Sequence, residues 1–296
     1  MRRLVTCALT ALVVICPPVI AAEQTASDDE PEGRRLELGL GVGALSNPDY
    51  RGSKRERITV LPVPYVSYQD KRVQLSRDGL VARLFDTGNF RLRLSANATL
   101  PNDDNDKGPR RGMPELLPTF EIGPSLDWRL SEAGGKWDLR VPVRAVAAAD
   151  FNEFEGIGWL SYPHLRFSRD DLHVGGWELE AATGAGPLWA SRSYHRYFYR
   201  VEPRYATADR PAYDVDSGYS GARVTAYLGV RRGPWRIGLG ITHDELAGAE
   251  MRDSPLLETE HSTVIAIGVF YSMWVWEGGA DEPAAPAVAP GQAQMH

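Results

Sequence analysis

The chain has 296 residues, 43% of them hydrophobic, and a formal net charge of −6. So acidic a chain excludes nucleic-acid binding as a role, and a mean hydropathy of −0.32 excludes a polytopic bundle of membrane helices. Both cysteines, Cys7 and Cys16, lie in the first 22 residues, so the rest has neither disulfide nor thiol chemistry available.

Met1-Arg2-Arg3, an apolar stretch from Leu4 and the small-residue site Val19-Ile20-Ala21-Ala22 predict a cleaved secretory signal over residues 1–22. Pro17-Pro18 argues against a retained membrane helix, and Ile15 and Pro17 around Cys16 argue against a lipoprotein. Loss of Arg2 and Arg3 leaves 31 basic against 39 acidic residues, a charge of −8. Residues 23–35 are polar and acidic without apolar period, and are predicted to be a disordered periplasmic lead-in.

From there the chain alternates. Residues 36–45 carry Leu38, Leu40 and Val42 between glycines. Residues 58–68 are interrupted by prolines, and 72–85 are irregular around Asp78-Gly79. In 90–100, Phe90, Leu92, Leu94, Ala96 and Ala98 oppose Arg91, Arg93, Ser95 and Asn97. Successive strand side chains face opposite ways, so this pattern makes one apolar and one polar surface. Further strands are predicted over 117–130, 137–147, 159–168, 174–194, 219–231, 235–242 and 264–276. Short gaps such as Glu132-Ala133-Gly134-Gly135 alternate with long ones at 101–114, 199–218 and 244–261. Tryptophans near strand ends, Trp128 and Trp137 above all, suggest interfacial girdles.

Exported, strand-rich and cysteine-free beyond the predicted signal, the chain is predicted to be an all-β, antiparallel transmembrane β-barrel of the outer membrane over residues 36–276. The strand number is ten or twelve, depending on whether 72–85 is no crossing or two short ones. The polar faces would place Arg91, Arg93, Arg140, Arg144, Arg223 and Arg236 in the lumen, against Glu121, Asp127 and Asp138. Residues 277–296, rich in Ala and Pro, are predicted to be a disordered tail.

Several phrases carry a resemblance. Asn47-Pro48-Asp49-Tyr50-Arg51-Gly52-Ser53 precedes Leu61-Pro62-Val63-Pro64-Tyr65. Later come Tyr197-Phe198-Tyr199, Tyr213, Gly218-Tyr219-Ser220-Gly221 and Asp253-Ser254-Pro255-Leu256. In order and spacing these resemble the MipA/OmpV family of outer-membrane proteins, up to Trp276. The resemblance implies a barrel and carries no catalytic residues. Within that family one member is a scaffold bridging a lytic transglycosylase and a murein synthase, while others are antigens, adhesins or suspected pores. The role implied here is therefore a non-enzymatic platform for murein hydrolase and synthase, facing lipopolysaccharide outside. A narrow solute channel is the alternative. Read as chemistry, Pro48 fixes φ and Gly52 permits a tight loop, while Pro255 favours an extended exit into the last strand. The tyrosines around 197–219 would pack a loop, or line a sugar or peptide surface.

Other chemistry is thinner. Ser193 and His195, two apart, would share a strand face, as a lipid hydrolase would need, but no orienting partner follows from the sequence. His243-Asp244-Glu245 with His261 matches no metal-ligand template, and solvated loop charges are the plainer reading. Asn102-Asp103-Asp104-Asn105-Asp106 lacks the glycine and glutamate of a calcium loop. Gly39-Leu40-Gly41-Val42-Gly43 sits within a strand with no helix after it, so it is no nucleotide loop. No cofactor and no metal is expected.

Overall fold

The computed structural model describes residues 33–70, 73–76, 79–99, 108–150 and 153–278. The predicted signal, nearly all of the lead-in, the Asn102–Asp106 run and the tail from 279 onward lie outside them. The elements are β1 (Arg34–Pro48), β2 (Glu56–Gln69), β3 (Val73–Ser76), β4 (Gly79–Asp86), β5 (Phe90–Thr99), β6 (Thr119–Ser131) and β7 (Lys136–Ala149). Then follow β8 (Phe154–Ser161), β9 (His164–Val174), β10 (Trp177–Ala190), α1 (Arg192–Tyr199), β11 (Gly218–Arg232), β12 (Trp235–Glu245) and β13 (His261–Gly278).

All ladders are antiparallel and the sheet closes on itself, with β13 pairing β1 from Arg34↔Gly278 to Ser46↔Ile265. β8 and β9 occupy one position in the wall. β7 pairs β8 along its upper half, Val143 to Ala149, and β9 along its lower half, Lys136 to Arg140. The break falls at Tyr162-Pro163, where proline has no N–H for a ladder. At the other irregular place, Ser76 pairs with Gly79 and β3 with β4 as a short hairpin. With β8 and β9 counted together the described wall has twelve positions, an even number that puts the start of β1 and the end of β13 on one side.

Outward and inward faces are inverted relative to a soluble protein. Leu40, Val42, Ile122, Leu126, Val143, Ile265 and Ile267 are exposed, whereas Arg93, Asp127, Asp138, Arg140 and Arg166 are buried. Such a wall meets lipid with its apolar side, and nearly all of its strands satisfy their backbone groups on their neighbours. Aromatics mark its two margins. Phe90 stacks on Trp128 with ring centroids 5.4 Å apart, Trp137 lies tilted on Phe167 at 4.8 Å, and Trp235 meets Tyr271 edge to face at 5.0 Å. At the opposite margin stand Trp159 and Trp189. Trp137 and Ala145, the residue paired with Trp159, are eight positions apart on β7. That is ~26 Å of strand at ~3.3 Å per residue, or ~20 Å of height once tilted. This approaches the apolar band of this barrel class.

β2 is an edge for most of its length. It pairs β1 throughout but β3 only at Tyr68↔Leu75 and Gln69↔Gln74. Pro62 and Pro64 sit opposite Val42 and Leu40 in the β1 ladder. A proline can hold such a position only if its nitrogen points away from β1. The missing donors therefore face the edge that β3 does not reach, as prolines on edge strands do.

The structure also corrects boundaries. The wall begins at Arg34 and ends at Gly278, two residues beyond the predicted span at each end, because Arg35 pairs with Glu277 at 3.1 Å where the apolar pattern has stopped. The strand predicted over 174–194 ends at Ala190. Ser191 then caps α1, its side chain accepting from Tyr194 N. The strand predicted from Trp159 starts at Phe154, its first turnings disguised by Gly156 and Gly158.

Candidate functional site

The lumen is layered. Near the end with the short turns, which in this class faces the periplasm, the inward side chains of β5–β9 form an ionic cluster. Asp138 is reached by Arg129 Nε at 2.6 Å, Arg91 Nη2 at 3.0 Å and Arg166 Nη1 at 3.9 Å. Asp127 pairs with Arg93, has Arg140 Nε at 3.7 Å, and accepts from Ser125 Oγ at 2.7 Å. Higher up, Arg144 meets Glu121 at 3.2 Å, and on the far wall Arg236 meets Glu37 at 2.6 Å. These pairs arise because a strand's alternate residues share the lumen face, and the ladder sets Arg91 beside Asp127 and Asp127 beside Arg140. Two carboxylates here serve five guanidinium groups.

In the outer half, Asp244 holds two arginines. Arg223 binds it through Nε and Nη2 at 2.7 and 2.8 Å, and Arg51 through Nε at 2.6 Å. Arg51 enters from the connection between β1 and β2 and also donates to Ser220 O and Oγ at 2.7 and 3.1 Å. Tyr162, at the break between β8 and β9, donates to Arg223 O at 3.1 Å and stacks on His164 at 4.3 Å. The break can bend this far because Gly186 lies opposite: a Cβ there would run into the Pro163 carbonyl.

Above that the lumen is apolar. Val146, Ala148, Ile157, Leu188 and Ala190 pack with Tyr194 of α1. A second cluster joins Tyr50, Tyr199, Leu246, Ala249 and Met251. Hydrogen bonds between distant connections lock it. Tyr50 Oη donates to Leu256 O (2.6 Å), Ser254 Oγ to Tyr199 O (2.7 Å) and Tyr199 Oη to Arg51 O (2.8 Å). Tyr197 Oη accepts from Leu117 N at 2.8 Å and Tyr213 Oη donates to Glu250 O at 3.1 Å. The Gly52 carbonyl, in a turn with φ of 87°, accepts from Glu258 N and Thr259 N. α1 itself is clamped from outside: Asp214 takes Arg192 Nη2 at 3.0 Å and Arg196 Nε at 2.7 Å.

Burial raises the Tyr199 hydroxyl above its ordinary value. The hydrogen bond from Arg196 holds the Asp214 carboxyl well below the usual carboxylate range. Burial also lowers His195, whose Nδ1–H donates to the Asp216 carbonyl at 2.7 Å.

Of the motif positions, Tyr50, Gly52, Tyr197, Phe198, Tyr213, Tyr219 and Ser254 converge in this cap, with Pro48 ending β1 beneath it. Gly218 opens β11, where a Cβ would meet the Glu250 side chain. Asp253 beside them is bonded only outward, to Arg252 at 3.6 Å, and Pro255 separates Ser254 from the buried Leu256. Pro64 stands apart on the outer face of β2. Ser193 and His195 do not share a strand face. They lie on α1, where a spacing of two turns them away from each other. Ser193 Oγ meets Ser191 Oγ instead. His243, Glu245 and His261, by contrast, do come together, with one potential ligand atom of each within 4.8 Å of the others. Sequence reasoning gave no lumen role to Arg51, Asp244, Tyr162 or His164. The alternation of Thr242 and Asp244 with His243 was the available signal for Asp244.

A family model described as MltA-interacting protein MipA matches residues 40–273. No curated protein matches. Among solved structures, LpxR from Salmonella typhimurium is similar at 9% identity and a TM-score of 0.43, over 79% of this chain and 99% of that one. The COG4313 outer membrane channel from Pseudomonas putida F1 matches at 12% and 0.35, over 84% and 99%. The translocator domain of the autotransporter NalP from Neisseria meningitidis matches at 11% and 0.32, over 82% and 90%.

Proposed function

The chain belongs to the MipA family, and from that premise we propose that this outer-membrane β-barrel is a non-enzymatic platform that holds murein-processing enzymes beneath the membrane. The family's description as MltA-interacting supports a murein-related partner. The observation that carries the reading is the cap. Its tyrosines, Ser254 and Gly52 are engaged with one another across the connections, above a lumen of paired charges. A barrel so braced is a rigid mount, and its recognition surface is its other end.

At that end the β9–β10 hairpin extends past its neighbour. The β7 ladder to β9 starts at Lys136↔Ser168, so from Arg169 to Val174 β9 pairs with β10 alone. Val174 at the tip is 63% exposed, beside His173, Asp171 and Asp170. This projecting strand edge is where a periplasmic partner would dock. The test is recovery of partners from crosslinked envelopes, with an unrelated barrel as control. Murein hydrolase or synthase should come down with this chain, and recovery should fall when residues 170–177 are replaced by a short glycine turn. Equal recovery by the control barrel would end the proposal.

A narrow channel is the second reading, favoured by the five arginines around Asp127 and Asp138. It requires anion-selective conductance in planar bilayers, altered by Arg91→Glu, and a silent bilayer would remove it.

A further inference from the structure

We propose that His243, Glu245 and His261 form a binding site for a borderline transition-metal ion, of the zinc or copper class, on the outer face of the barrel at its external rim. His243 and Glu245 alternate on β12 and so share a face, and the ladder sets Glu245 opposite His261 on β13. The face is the outward one, just above the exposed Ile241 and Ile265. The site therefore stands at the upper margin of the apolar band, where the outer-leaflet headgroups begin.

The ligand geometry is close to assembled. His261 Nδ1 lies 2.9 Å from Glu245 Oε2. The two imidazoles are nearly parallel, with ring centroids 6.0 Å apart. One donor atom from each residue lies within 4.8 Å of the others. Around zinc, ligands at ~2.0–2.2 Å stand ~3.5 Å from each other in a tetrahedron, a difference that small rotations of these exposed side chains close. The backbone beneath is held fast, because the inward residue between the ligands is Asp244, gripped by Arg223 and Arg51.

An outer-shell partner is present as well. Thr263 Oγ1 meets His243 Nδ1 at 2.9 Å, which orients the ring and leaves Nε2 for a metal. Two nitrogens and one carboxylate oxygen suit zinc, copper or nickel, whereas calcium and magnesium favour oxygen alone. Three protein ligands leave a coordination position open to the outside.

The experiment uses the mature chain in detergent, without a histidine tag, titrated with Zn2+ by calorimetry and with Co2+ by absorption. One ion per chain is expected, with affinity at least ~10-fold weaker in His243→Ala and in His261→Ala. Millimolar Ca2+ should not compete. The variants' heat-dependent gel mobility, compared with that of the parent, reports that the barrel is intact, and Glu245→Gln tests the third ligand with no change of size. Binding as tight in the His243→Ala/His261→Ala double variant overturns the site, and so does displacement by Ca2+, which would reduce it to a patch of charge.

Discussion

At the scale of single residues, Asp244 is the most exposed to damage. It is almost wholly buried and is the acid shared by Arg51 and Arg223. Removing one member of a buried ionic group leaves the others charged and uncompensated, at a cost of about 3–5 kcal/mol. Asp244→Ala should lower the unfolding free energy by that much in a denaturant titration, whereas Asp171→Ala, in an exposed pair with Arg169, should leave it unchanged. Equal effects at the two positions would mean that the Asp244 cluster does not hold the mouth. The lumen arginines were legible from parity alone, since Arg91 and Arg93 alternate with leucines. Which acid each one meets was not, because Arg91 reaches Asp138 two strands away.

At the scale of elements, α1 is the one α-helix among the described residues, and its attachment depends on pH. His195 is buried with its folded-state value lowered, so the open cap takes up a proton more readily than the closed one. That stabilisation is complete above the ordinary histidine value of ~6.5 and declines as pH falls below it. Asp214 is also lowered, so its contribution is complete above ~3.9 and is lost as pH falls through the carboxylate range. Protection of the α1 amides against hydrogen exchange, taken relative to the intrinsic rate at each pH, should therefore fall in two stages on acidification. His195→Gln should abolish the first and Asp214→Asn the second, and a single stage unaffected by either variant would refute the assignment. Sequence pattern missed α1 because eight residues are too few to show a period, although Tyr194, Tyr197 and Phe198 stand at the helical spacing i, i+3, i+4. The capping of Ser191 and the clamp from Asp214 decide for the helix.

At the scale of the whole molecule, stability depends on an apolar exterior in lipid and a polar interior. Val141 points outward on β7, midway between Trp137 and Ala145, the residue paired with Trp159. Val141→Arg should cost about 2–4 kcal/mol in a bilayer, the penalty for a charge at mid-depth on the lipid face. Refolding into lipid vesicles with a denaturant titration measures it. A loss below about 1 kcal/mol would place the bilayer elsewhere on the wall.

What the sequence by itself determined is the barrel. Alternation is a local property, repeated along nearly every strand, and the resemblance in its phrases pointed to the family. The strand count stayed open between ten and twelve until Ser76 was seen to pair with Gly79, because a four-residue strand is too short to show a period. Tertiary structure alone decided the site. The cap joins Tyr50 to Leu256 and Ser254 to Tyr199, and the rim cluster joins His243 to His261 across a connection. Those contacts are set by ladder register and loop closure, which couple residues far apart in the chain and leave no periodic trace along it.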